Sequence, residues 1–85
     1  MLFVLWFKWP PENTEALLEL WKEFKFPKGV KVIHRYIIIG RHTSIAIFDA
    51  PNEESILKIT VPFRGLGVAK IAPIMPLEKA LEVAP

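Results

Sequence analysis

The 85-residue chain has no cysteine, no glutamine, only four glycines and a single tyrosine. Without cysteine, disulfides and thiolate metal sites are excluded. A domain of this length buries only about 60–65% of its unfolded surface. With disulfides and thiolate metals removed, association remains as the way to add stability. The missing cysteine also fits a reducing cytosol. No stretch approaches the ~18 consecutive apolar residues of a membrane span. Residues 1–7 are apolar but lack the basic flank and small-residue cleavage site of a secretory leader. The expectation is one soluble, cytoplasmic domain over 1–85 with no membrane partner. Plentiful Ile, Lys and Glu beside the missing Gln suit a thermophile.

Most catalytic templates are missing as well. There is no G-x-S-x-G and no G-x-x-x-x-G-K. Gly65-Leu66-Gly67 is too short for a dinucleotide loop and reads as a turn into a strand. No His/Glu spacing fits a helical zinc site. The histidines, His34 and His42, fall about five strand residues apart, roughly 15 Å, so they cannot share an ion within one chain. No catalytic residue, metal or cofactor is assigned.

What is present is apolar surface in excess. The chain is 52% hydrophobic and 24% charged, a globular composition. Residues 1–9 place Phe3, Leu5, Phe7 and Trp9 on one face of a strand. Leu2, Val4 and Trp6 fall on the other, interrupted only by Lys8. A half-buried strand alternates apolar and polar residues; this one needs cover on both sides.

Pro10-Pro11 ends that strand, since proline has no ladder donor. Leu17, Leu20, Trp21 and Phe24 recur at helical spacing, predicting an amphipathic helix over 12–25. Pro27-Lys28-Gly29 breaks it. The β-branched run of 30–39 predicts a second strand, and Ser44–Asp49 returns as the third, forming a hairpin. Asp49 or Asn52 would cap a helix over 52–61 burying Ile56, Leu57 and Val61. Val68–Met75 reads as a fourth strand. Pro76 then opens a short terminal helix that would dock through Leu77, Ala80 and Leu81.

The order β-α-β-β-α-β is the split βαβ, or ferredoxin-like, pattern. It predicts an α+β fold, with a four-stranded antiparallel sheet, two helices on one face and a short C-terminal helix. An even hairpin loop puts Val32, His34, Tyr36, Ile38, Ile45, Ile47 and Asp49 on one face, and a four-residue loop is expected to set Asp49 opposite His34. Ile33, Arg35, Ile37, Ile39, Ala46 and Phe48 share the other. Both sets are mostly apolar, and helices can cover only one. An uncovered face would exceed the apolar patch a monomer usually exposes, so a homodimer through the sheet face is expected.

Net charge is +2, yet Lys22, Lys25, Lys28, Lys31, Arg35 and Arg41 face only Glu23 across their stretch. The plain reading is helix electrostatics and a solvated face; the sharper one is an anion-binding patch. Lysines in strands commonly guard edges, and buried aromatics are usually core. The functional alternative lines a small-molecule cavity with His34, Arg35, Tyr36, Trp6 and Lys70. Nucleic acid is not expected. Strand three, Thr-Ser-Ile-Ala-Ile-Phe-Asp, lacks the basic and aromatic platform of an RNA-recognition motif.

The run Ile33-His34-Arg35-Tyr36 to Gly40-Arg41, then Ser44–Asp49, then Ala72-Pro73-Ile74-Met75, with Pro11-Glu12-Asn13 opening the first helix, resembles a family of small prokaryotic proteins of unknown function. Its members look like the dimeric α/β-barrel superfamily. The resemblance covers most of the chain. It implies two ferredoxin-like subunits packed sheet to sheet, in some cases around a central cavity. Some relatives are cofactor-free monooxygenases of aromatic compounds, some degrade haem and some only bind ligands. The asparagine and histidine pattern of the monooxygenases is not recognisable, so no catalytic residue carries over. The leading expectation is a homodimer that binds a small apolar or anionic ligand. A monooxygenase-like enzyme and a purely structural interaction module are the alternatives.

Overall fold

The computed structural model describes residues 1–84. Strands β1 (Leu2–Lys8), β2 (Lys31–Ile38), β3 (Thr43–Asp49) and β4 (Val68–Pro73) form one sheet in the order β2-β3-β1-β4. Every neighbouring pair is antiparallel. Helices α1 (Thr14–Glu23), α2 (Glu53–Thr60) and α3 (Leu77–Val83) complete the α+β fold, which matches the ferredoxin-like order.

Helix α1 starts where the sequence supplies its anchors. A 3-10 turn at Pro11–Asn13 leads into it. The Trp9 indole N–H donates to Thr14 Oγ1 at 3.0 Å, and that hydroxyl donates to the Pro11 carbonyl at 2.7 Å. Asn13 Nδ2 donates to the Leu66 carbonyl at 2.9 Å, tying the helix start to the turn before β4. For α2 the cap is Asn52, whose side-chain oxygen accepts from both the backbone N–H and the hydroxyl of Ser55 at 2.9 Å. Asp49 is not a cap. Its carboxylate meets the Met1 amino group at 2.8 Å.

The odd-numbered side of β1 faces the helices. Leu5, Phe7 and Trp9 are buried, and Phe3 packs at their margin. One core cluster joins Leu5, Ala46, Phe48, Ala50 and Ile59. The other joins Phe7, Trp9, Leu17 and Phe63. Phe63 is the hub of the second, with ring centroids 4.6 Å from Trp21 and 5.1 Å from Phe24. Burial of such a side chain contributes about 1.5–3 kcal/mol each, so these rings dominate the stability of a small domain. Helix α2 inserts Ile59 and partly Ile56. Leu57, expected inside, points outward at 62% exposure. The helix starts at Glu53, and its inward stripe runs Ser55, Ile56, Ile59, which leaves Leu57 on the far side.

The hairpin loop has four residues, since Ile38 pairs with Thr43. Gly40 (φ 82°) and His42 (φ 49°) adopt left-handed backbone to turn the chain. The even loop keeps His34, Tyr36, Ile38, Ile45 and Ile47 on one face, as expected. Two details differ. His34 stands opposite Ile47, not Asp49, because a four-residue loop pairs residues whose numbers sum to that of Ile38 and Thr43. A bulge between Val32 and His34 then shifts the register. Val32 joins Phe48 on the helix face, and Asp49 pairs with Lys31. One extra residue in a strand flips all that precedes it to the other face.

Candidate ligand-binding face

No helix covers the even-numbered side of β1. Directly opposite residues in a ladder point to the same face, so the registers define three rows across that side. The first runs His34, Ile47, Val4, Ala72. The second runs Tyr36, Ile45, Trp6, Lys70. The third runs Ile38, Thr43, Lys8, Val68. Rows are two residues apart along each strand, roughly 7 Å. The open face is therefore an apolar floor with two lysines at its β1–β4 side and a histidine–tyrosine pair at its β2 edge.

Trp6 is 42% exposed and Tyr36 57% exposed. Trp6, Lys8, Thr43, Val68 and Lys70 line a broad depression of about 600 Å³. That is ample for a small ligand, as binding sites range over about 300–1,000 Å³. At the β2 edge the Tyr36 hydroxyl and His34 Nδ1 are 3.4 Å apart, and their rings stack at 5.8 Å. Four of the five residues proposed from sequence, Trp6, His34, Tyr36 and Lys70, thus share one face.

Arg35 is on the other face. Its strand neighbours alternate, and its ladder partner is the core residue Ala46. The guanidinium lies 5.9 Å from the Trp21 ring centroid, over its face. There it contributes to a groove of about 420 Å³ beside α1, with Trp9, Leu18, Trp21, Lys22 and Ile37. Sequence parity could separate Arg35 from its neighbours. It could not say which of the two faces the helices occupy. Lys8, Thr43 and Val68 are additional members of the open-face depression. Lys8 was visible as the charged break in β1; Thr43 and Val68 become legible only through the ladder registers.

Among the described residues no three His, Cys, Asp or Glu side chains gather to hold a metal ion. The family model described as a domain of unknown function (DUF3303) matches residues 1–85. The chain belongs to that family. No curated protein matches it. Among the described residues of this DUF3303 chain no helix is long and apolar enough to cross a membrane.

Proposed function

We propose that this DUF3303 chain is a homodimeric binding module that holds a small apolar anion between two facing sheets. The row Tyr36–Ile45–Trp6–Lys70 carries the reading. It sets two exposed aromatic rings and an isoleucine in line with a cation, on a face that no helix covers. Burying that apolar floor against a second copy is favourable at about 25 cal/mol per Å². Lys8 and Lys70 resist complete closure, since burying an unpaired ammonium is costly. A ligand with an anionic head and an apolar or aromatic body resolves both demands: the body covers Trp6 and Val68, and the head pairs with Lys8 and Lys70.

Light scattering and a fluorescence titration test this. The expected mass is about twice the 9.8 kDa protomer. Anilinonaphthalene sulfonate, an apolar anion, should bind saturably and lose affinity in Lys8→Met/Lys70→Met. A monomer that binds the dye no better than the double variant does would overturn the proposal.

A further inference from the structure

Helix α3 carries an apolar stripe with no cover. Leu77, Ala80 and Leu81 fall on one side by helical spacing. None of its residues is buried, and Leu77 and Leu81 are 69% and 62% exposed. At seven residues it is well short of the ~12 at which an isolated helix is even marginal, so it needs a surface to lie on. The chain's radius of gyration is 14.0 Å, against roughly 12 Å for a compact chain of this length, as a projecting arm requires.

Within the protomer α3 stays off its own sheet, with Leu77 and Leu81 left open. The Ile74 N–H donates to the Leu2 carbonyl at 3.0 Å, which roots the arm beside β4. Only Met75 and Pro76 intervene before α3.

Strand β2 is the complementary feature. Every residue of it but Val32 is exposed, Ile33 at the bulge included. The stretch from Lys28 to Arg41 carries Lys28, Lys31, Arg35 and Arg41 and no acid. The stripe of α3 is flanked by Glu78 and Glu82, of which Glu82 lies 3.9 Å from Lys79 of the same helix, so α3 carries one net negative charge. Apolar meets apolar and acid meets base.

We propose that α3 is an exchanged arm. In the homodimer each copy lays Leu77 and Leu81 against Ile33 of its partner, with Glu78 and Glu82 toward Lys28 and Lys31. Strands β2 and β4 are the two edges of the sheet. A two-fold axis parallel to the strands, between facing sheets, sets β4 of one copy over β2 of the other. Residues Leu2, Asp49 and Lys31 lie at one level along the sheet, and the arm is rooted at Leu2. That axis therefore brings the root of each arm beside the start of the other β2, and one operation covers both arms. The arm rests on the sheet-to-sheet reading and extends it.

The chain has no cysteine, so engineered thiols report cleanly. Leu81→Cys and Ile33→Cys, made separately and mixed with a short bismaleimide, should give a covalent dimer joining the two variants. Glu78→Lys/Glu82→Lys should weaken dimerisation about tenfold, with recovery on adding Lys28→Glu/Lys31→Glu. Truncation after Met75 should weaken it at least as much while leaving the protomer folded, since α3 buries nothing. A dimer with no cross-link and unchanged affinity after truncation overturns the arm and leaves the sheet interface standing. A wild-type monomer overturns both. A dimer that Trp6→Lys fails to weaken overturns the sheet interface and, with it, the arm that rests on it.

Discussion

Trp6 and Lys70 stand directly opposite one another across the β1–β4 ladder, on the face that no helix covers. An exposed indole beside an ammonium offers an apolar wall and a counterion at one place. Lys70→Glu keeps the strand and reverses the charge. Binding of an apolar anion should weaken about tenfold or more, equivalent to about 1.4 kcal/mol. The wild-type affinity should also fall as salt rises, because the pairing is partly solvent-exposed. Titrations at two ionic strengths measure both. Equal affinity in the variant would remove Lys70 from the site.

Trp6→Lys tests the facing-sheet arrangement in the absence of ligand. Trp6 is half exposed in the protomer, so the change should cost the fold no more than about 0.5 kcal/mol. If two sheets face each other, the change sets two new ammonium groups beside Lys8 and Lys70 of both copies, with no acid in those rows to offset them. The variant should therefore sediment as a monomer at concentrations where wild type is dimeric, with a protomer unfolding midpoint in denaturant close to that of a wild-type sample diluted to monomer.

Gly67 is held by sterics. A Cβ built there would lie 2.3 Å from the Lys8 carbonyl oxygen and 2.9 Å from the Phe7 ring. The oxygen belongs to the backbone of β1 and cannot yield without bending the sheet. Gly67→Ala should cost about 1–3 kcal/mol, the usual range for overpacking. Gly40→Ala meets nothing within 4 Å, although its φ of 82° still favours glycine. Urea denaturation should therefore rank Gly67→Ala as the more damaging of the two.

Much of this architecture is legible in the residues. The β-α-β-β-α-β order follows from helical spacing in 17–24, from β-branched residues in 30–39, and from proline and glycine breaks. The two-sided greasiness of β1 signals an uncovered face. Which side the helices take is not legible, because Phe3-Leu5-Phe7-Trp9 and Leu2-Val4-Trp6 are both apolar. The choice is made by long-range contacts: Phe7 on Phe63 at 5.5 Å, and the Trp9 indole on Thr14. The bulge at Ile33 is equally silent, since a β-branched run has no residue that marks an extra position. The α3 stripe is legible, but nothing in the protomer buries it.

Phe48 and Leu57 form a paired test of the core. Phe48 is fully buried, within reach of Phe3 and Phe26 at 5.9 and 6.3 Å between ring centroids. Phe48→Ala should cost about 3–5 kcal/mol, enough to unfold much of so small a domain near room temperature. Leu57→Lys, on the outer side of α2, should stay within about 0.5 kcal/mol of wild type. Differential scanning calorimetry distinguishes them, and a large loss in Leu57→Lys would mean that α2 is covered by a partner.

Arg35 separates the two faces most sharply. It neighbours both His34 and Tyr36 in sequence, yet the pleat sends it to the helix side, over Trp21. If the ligand sits on the open face, its carboxylate or sulfonate never meets Arg35. Arg35→Met should then leave anion affinity unchanged, measured above the dimer dissociation constant, while Lys8→Met/Lys70→Met abolishes it. The reverse pattern would move the site to the 420 Å³ groove between α1 and β2, where Arg35 and Lys22 are the available cations and Trp9 and Trp21 the apolar walls. Trp21 gives the experiment an internal reporter. With an apolar anion that does not absorb at tryptophan's emission, such as decyl sulfate, its emission should respond only in that second case, so a change in Trp6→Phe, which retains Trp9 and Trp21, assigns the face.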